Sequence, residues 1–146
     1  MDKRMRVLVV DASRATVSVV SRLLQKCIFS DIDHAYSAEE ALQALRVRRH
    51  SVVISDCNFA GMSGVQFLMR VRGDPQLCDT CFILMTTQLD RELIADAKHF
   101  QADCILMKPF SVDVLRLKLS DLAKLNVKLS DLVKLNEPAG EVAFLD

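Results

Sequence analysis

Two aspartates, a threonine and a lysine each close a short apolar run. Asp11 follows Met5–Val10, Asp56 follows Ser51–Ser55, Thr86 follows Cys81–Met85 and Lys108 follows Asp103–Met107. These residue types suit phosphoryl transfer. Two carboxylates hold a hard divalent cation such as Mg²⁺ through oxygen, and such a cation neutralises charge on an incoming phosphoryl group. A carboxylate can itself be the nucleophile and become an aspartyl phosphate. A lysine ammonium and a hydroxyl can bind the phosphoryl oxygens. Taken singly, each residue has a plainer role. An aspartate at a strand tip is a common turn former or helix cap, and Lys108 could do no more than pair with Asp56.

The four residues form a site only if the intervening chain gathers them. The run Val52-Val53-Ile54 is apolar without alternation, as in a strand covered on both faces. Met5–Val10, Cys81–Met85 and Asp103–Met107 read the same way, and Asp31–Tyr36 is a weaker strand. Between them lie helical spacings. Ala15–Gln25 carries Val17, Val20, Leu23 and Leu24 behind the N-cap Ser13. Ser37-Ala38-Glu39-Glu40 is a capping box before Ala41, Leu42 and Leu45. Ser63–Arg72 carries Val65, Phe67, Leu68 and Val71 and stops at Gly73-Asp74-Pro75. Asp90 caps a helix to Phe100, and Ser111 caps the last one. Five strands alternating with five helices predict an α/β fold, a doubly wound, flavodoxin-like parallel sheet with helices on both faces. The common order for five strands is 2-1-3-4-5, with ligands at the carboxyl ends of the strands. In that order Asp11, Asp56, Thr86 and Lys108 fall along one edge.

Composition narrows the function classes. At 146 residues the chain is expected to hold one domain, residues 1–123, followed by a helical extension and loose tail over 124–146. Nineteen basic residues balance nineteen acidic ones, so the overall charge does not point to nucleic acid. The cluster Arg46-Val47-Arg48-Arg49 reads as a solvated helix end. The opening apolar run is too short for a signal peptide, and no segment reaches the ~20 apolar residues of a membrane span. A cytoplasmic protein with no membrane contact is expected. The five cysteines, Cys27, Cys57, Cys78, Cys81 and Cys104, are expected as free thiols. Cys78-Asp79-Thr80-Cys81 lacks the second ligand pair of a zinc site and enters a strand, where a redox motif would open a helix.

The stretches VLVVDAS, VVISDCNFAGMSG, FILMTT and LMKPF closely resemble the receiver domains of two-component response regulators, especially the single-domain chemotaxis type. The resemblance covers roughly residues 6–122. By position it implies that Asp56 is the phosphoacceptor, Asp11 an acidic-pocket residue and Asn58 a donor of its backbone carbonyl to Mg²⁺. It further implies that Thr86 is the switch hydroxyl, that Lys108 binds phosphate and that Lys108–Pro109 is a cis bond. The departures are specific. Ala12 stands where the family has a second acid that ligates the metal, so Mg²⁺ binding is expected to be weakened. Thr87 replaces a small residue, Ile105 an aromatic switch residue and Ala60 a proline. Gln101 replaces the glycine that ends the fourth helix.

The tail repeats itself: LKLSDLAKLN at 117–126 and VKLSDLVKLN at 127–136 agree at eight of ten positions. A helix continued to Asn136 would be ~39 Å long. Leu119, Leu122, Leu125, Leu129, Leu132 and Val133 would share a broad face, drifting because ten residues fall short of three turns. That face is expected to pair two chains or dock a partner, the alternative being a frayed tandem duplication. Glu137–Asp146 reads as a loose end.

The expected function is a phosphorylation-controlled switch. A histidine kinase or phosphotransfer protein donates to Asp56, and an output protein reads the change. Such a domain catalyses only its own phosphorylation and dephosphorylation and is not a conventional enzyme. The alternatives are a pseudo-receiver, favoured by Ala12, Thr87 and Ile105, and a small α/β phosphatase. The phosphatase would need a second acid–base group near Asp56, and only Asn58 stands two residues on.

Overall fold

The computed structural model describes residues 5–27 and 31–125. Along the chain run β1 (Arg6–Val10), α1 (Arg14–Gln25), β2 (Asp31–Ala35), α2 (Ala38–Val47), β3 (Val52–Asp56), α3 (Gly64–Gly73), β4 (Cys81–Thr86), α4 (Arg91–His99), β5 (Cys104–Met107) and α5 (Val112–Leu125). All pairings are parallel, and the order is β2-β1-β3-β4-β5. The predicted doubly wound, flavodoxin-like sheet is therefore present. The expected continuation of the last helix to Asn136, the tail after it and most of the repeat lie outside the described residues. Among the described residues no helix is long and apolar enough to cross a membrane.

Alternation along each strand divides the core into two layers. Val7, Val9, Ile54, Ile83 and Leu106 face α1 and α5, where they meet Val17, Val20, Leu24, Leu115, Leu119 and Leu122. Leu8, Val10, Val53, Phe82 and Leu84 face the opposite layer of Ala41, Leu42, Leu45, Phe67, Leu68, Val71 and Ala97. Every residue of β3 and β4 is buried, which is why the runs Val52–Ile54 and Cys81–Met85 are apolar without alternation. Leu119 and Leu122 are thus covered by the chain's own sheet. Within 117–122 they add nothing to an outward face.

The edge strand β2 is polar for a physical reason. Asp31 pairs with Arg6 at 2.9 Å. Asp33 accepts from buried His50 at 2.7 Å and from Arg48 at 3.3 Å. Burial alone would raise the Asp33 carboxyl, but His50 and Arg48 outweigh it and hold the group below its usual value. A depressed carboxyl contributes stability above the ordinary carboxylate range and loses it as pH falls through the folded value.

The expected caps form. Ser13, Ser37, Asp90 and Ser111 accept from the amides of Thr16, Glu40, Leu93 and Val114 at 2.8–3.2 Å. The box predicted at Ser37 is incomplete, because the Glu40 carboxylate takes the Tyr36 amide at 3.3 Å instead of its cap's own. A complete box forms at Ser63, whose hydroxyl takes the Gln66 amide while the Gln66 side chain takes the Ser63 amide. α4 closes in a Schellman turn, with Ala102 N–H on Ala97 O at 2.8 Å and Gln101 N–H on Lys98 O at 3.3 Å. Gln101 sits at φ 66° there, a left-handed conformation that strains an L side chain. Arg72 holds that turn. Its guanidinium donates to Gln101 O, Cys78 O, Thr80 O and Asp103 Oδ2 at 2.6–3.0 Å. All five cysteines are free thiols.

Candidate functional site

The parallel register brings the strand tips level. Val10 pairs with Ser55, so Asp11 and Asp56 follow side by side. Asp56 pairs with Met85, and Thr86 pairs with Met107, which immediately precedes Lys108. Lys108 Nζ donates to Asp11 Oδ2 and to Asp56 Oδ1, each at 3.0 Å. The two carboxylate oxygens therefore lie within twice that distance of each other. Asp11 is 3 % exposed and Asp56 9 %, so the cluster is built into the protein. The plainer sequence expectation, a Lys108–Asp56 pair, is present and extended to Asp11.

Each side chain is aimed by local structure. Asp11 Oδ1 accepts the Ser13 amide at 2.9 Å, which leaves Oδ2 for the lysine. The Asp11 amide is tied to Ala35 O at 3.2 Å, and Lys108 N–H to Thr86 O at 2.7 Å. The Lys108–Pro109 bond is cis, as the resemblance implied. Behind Asp56, the Gly64 amide returns to Cys57 O at 2.9 Å and closes the β3–α3 loop. A Cβ on Gly64 would overlap the Asp56 carbonyl oxygen and lie 2.7 Å from Cys57 Cα. Only glycine permits this approach.

Burial would lower the Lys108 pKa, but its hydrogen bonds to Asp11 and Asp56 and their charges raise it overall. Its stabilising charge is complete below the ordinary lysine range and fades only as pH rises through the raised folded value. Cys57, beside Asp56, is pushed up to about 12, by burial first and by the Asp56 charge second. It stays a neutral thiol and does not compete as a nucleophile.

Thr86 stands at the neighbouring tip, 2 % exposed, but its hydroxyl is turned away from the lysine cluster. It donates to Gln88 O at 2.8 Å and accepts the Gln88 amide at 3.1 Å. The site therefore brings together Asp11, Asp56 and Lys108 by contact, and Thr86 by register alone. Asn58 is exposed in the loop two residues past Asp56, Ala12 and Thr87 are exposed, and Ile105 is half-buried against the α2–α4 layer.

The donor set decides what metal could bind. Two converging carboxylates are hard oxygen donors, and Mg²⁺ typically takes one or two carboxylates and keeps several waters. The residues fit Mg²⁺ on that ground. Ala12 adds no oxygen, and among the described residues no three His, Cys, Asp or Glu side chains gather as a metal cluster. Against the site, a cleft of about 370 Å³ opens between α1 and the β5–α5 turn, lined by Thr16, Val19, Leu23, Thr87, Lys108 and Phe110 among others.

Residues 7–120 match the family described as the response regulator receiver domain. The probable chemotaxis protein CheY of Rhizobium etli is 33 % identical over 108 residues, covering 74 % of this chain and 84 % of that protein. Chemotaxis protein CheY-3 of Vibrio cholerae is 28 % identical over 110 residues, covering 75 % and 85 %. Among solved structures, Vibrio cholerae CheY4 superposes with a TM-score of 0.72 at 32 % identity, covering 77 % of this chain and 92 % of that one.

Proposed function

The chain belongs to the response regulator receiver domain family, and from that premise we propose that it is a cytoplasmic, phosphorylation-controlled signalling switch whose phosphoacceptor is Asp56. The observation that carries this reading is the Lys108 ammonium held 3.0 Å from each of two buried strand-tip carboxylates. An aspartate fixed beside a cation can accept a phosphoryl group, and the same cation can then pair with the group it has accepted.

In the proposed transfer a carboxylate oxygen of Asp56 attacks phosphorus in line with the donor's P–N bond. The O–P bond forms, the P–N bond breaks, and the electron pair leaves with the imidazole of a phosphohistidine. Lys108 turns from the Asp56 carboxylate to a phosphoryl oxygen while keeping Asp11. Thr86 would release Gln88 and offer its hydroxyl to the phosphoryl group, and that release would carry the signal into the 87–90 loop. Asp11, Asp56 and the Asn58 carbonyl would hold Mg²⁺, whose charge offsets that of the phosphoryl group when bound. The donor is a histidine kinase or a phosphotransfer protein, for which the cleft beside Lys108 gives an approach. Output passes through contact with another protein. The test is transfer from a small phosphodonor to Asp56, read as intact mass.

Ala12 favours a second reading, a constitutive binding module. It makes a prediction of its own. Ala12→Asp should tighten Mg²⁺ binding about tenfold, by restoring a carboxylate to a hard cation. Apo stability should fall at the same time through added like charge. An unchanged Mg²⁺ midpoint in a calorimetric titration would mean that position 12 does not face the metal.

We also propose that the repeat pairs two chains. Since Leu119 and Leu122 are spent on the sheet, any pairing face must come from the repeat's later part, and twofold pairing is the commonest association of identical chains. The chain truncated after Ala123 should be a folded monomer, and the full chain a dimer at micromolar concentration. A monomeric full-length chain in light scattering at high concentration would contradict the dimer.

A further inference from the structure

The β3–α3 loop carries Asn58 and is fixed at both ends. Asp56 is in the sheet ladder, the Gly64 amide is bonded to Cys57 O at 2.9 Å, and the Ser63–Gln66 box starts α3. Its middle, residues 58–62, has no ladder or helix to hold it. Ala60 there leaves φ free, where a proline would preset it.

A side chain from another element reaches this stretch. Glu39, in the first turn of α2, accepts the Met62 amide on Oε2 at 3.3 Å. The same oxygen lies 3.1 Å from where a Cβ on Gly61 would stand, and Gly61 has φ +88°. The carboxylate thus occupies a notch that a side chain at Gly61 would crowd. Its neighbour Glu40 serves the Tyr36 amide, so the two acids of this turn have separate tasks. A favourable place on the α2 dipole explains an acid in the first turn. It does not explain a carboxylate reaching 23 residues along the chain to another loop.

We infer that Glu39 is a positioning residue for the phosphoacceptor loop: it holds the Gly61–Met62 backbone and thereby keeps the Asn58 carbonyl ready for the metal. With an alanine at position 12, protein donors are few, and a larger share of binding rests on that carbonyl. A loop that must be ordered on binding weakens affinity by its ordering entropy. The inference rests on the metal-assisted reading of the site.

The test compares Glu39→Ala with Glu39→Gln, which keeps an oxygen acceptor. Two readouts are independent of activity: the Mg²⁺ midpoint by calorimetry, and hydrogen exchange of the Met62 amide in metal-free protein. Glu39→Ala should raise the midpoint and speed the exchange about threefold to tenfold, the size of one hydrogen bond. Glu39→Gln should stay within about twofold of the wild type in both. Unchanged Met62 exchange in Glu39→Ala would overturn the inference, as would an unchanged midpoint. So would a Gln variant that behaves like Ala, since the effect would then belong to the charge. A wild type that binds Mg²⁺ yet accepts no phosphoryl group would end the phosphorylation reading alone. A wild type that is phosphorylated while Glu39→Ala leaves both readouts unmoved would end this inference alone.

Discussion

Gly64→Ala is expected to destabilise the chain by about 3 kcal/mol or more and to disable the site with it. The new Cβ would overlap the Asp56 carbonyl oxygen and stand 2.7 Å from Cys57 Cα. Both are backbone atoms of the strand tip that carries the phosphoacceptor, so neither can swing aside as a flexible side chain could. Either α3 must slide along its axis or the end of β3 must bend. The first breaks the Gly64–Cys57 hydrogen bond, and the second moves Asp56 away from Lys108. Gly73, at the other end of the same helix, has no atom within 4 Å of its notional Cβ. Gly73→Ala should therefore stay within about 0.5 kcal/mol of the wild type. Urea unfolding of the two variants checks the contrast, and equal stabilities would mean that the close approach at Gly64 is relieved at little cost.

Lys108→Met is expected to cost about 2–3 kcal/mol at neutral pH, because it leaves two buried carboxylates facing each other. At the largest separation their shared partner allows, their repulsion is about 3 kcal/mol at an effective dielectric of 20. Added Mg²⁺ should recover part of the loss, because the cation would offset the same two negative charges. Unfolding midpoints at neutral pH, with and without Mg²⁺, test both expectations. A small deficit that Mg²⁺ leaves unchanged would mean that Lys108 does not neutralise this pair.

The sheet was legible in the sequence because buried parallel strands must be apolar on both faces. Val52-Val53-Ile54 and Phe82-Ile83-Leu84-Met85 announce themselves, and the polar residues that stop such runs are the ones at the carboxyl edge. The convergence of Asp11, Asp56 and Lys108 followed once the strand order was anticipated. Less was visible wherever the cause lies far along the chain. The polar strand β2 reads weakly because Asp31, Asp33 and His34 answer to Arg6, His50 and Ser21, none of them a near neighbour in sequence. The four-way grip of Arg72 left no local signal for the same reason. The Ser63–Gln66 box did carry its signature, serine followed by glutamine three residues on, and a search for that spacing finds it. The turning of the Thr86 hydroxyl onto Gln88 is a rotamer choice, which residue type alone does not decide.

The central claim is that Asp56 accepts a phosphoryl group, and intact mass after incubation with acetyl phosphate and saturating Mg²⁺ tests it most directly. The wild type should gain about 80 Da, one HPO₃ on a carboxylate, and Asp56→Asn should gain nothing. A wild type that gains no mass, or an Asp56→Asn variant that gains as much as the wild type, would contradict the account.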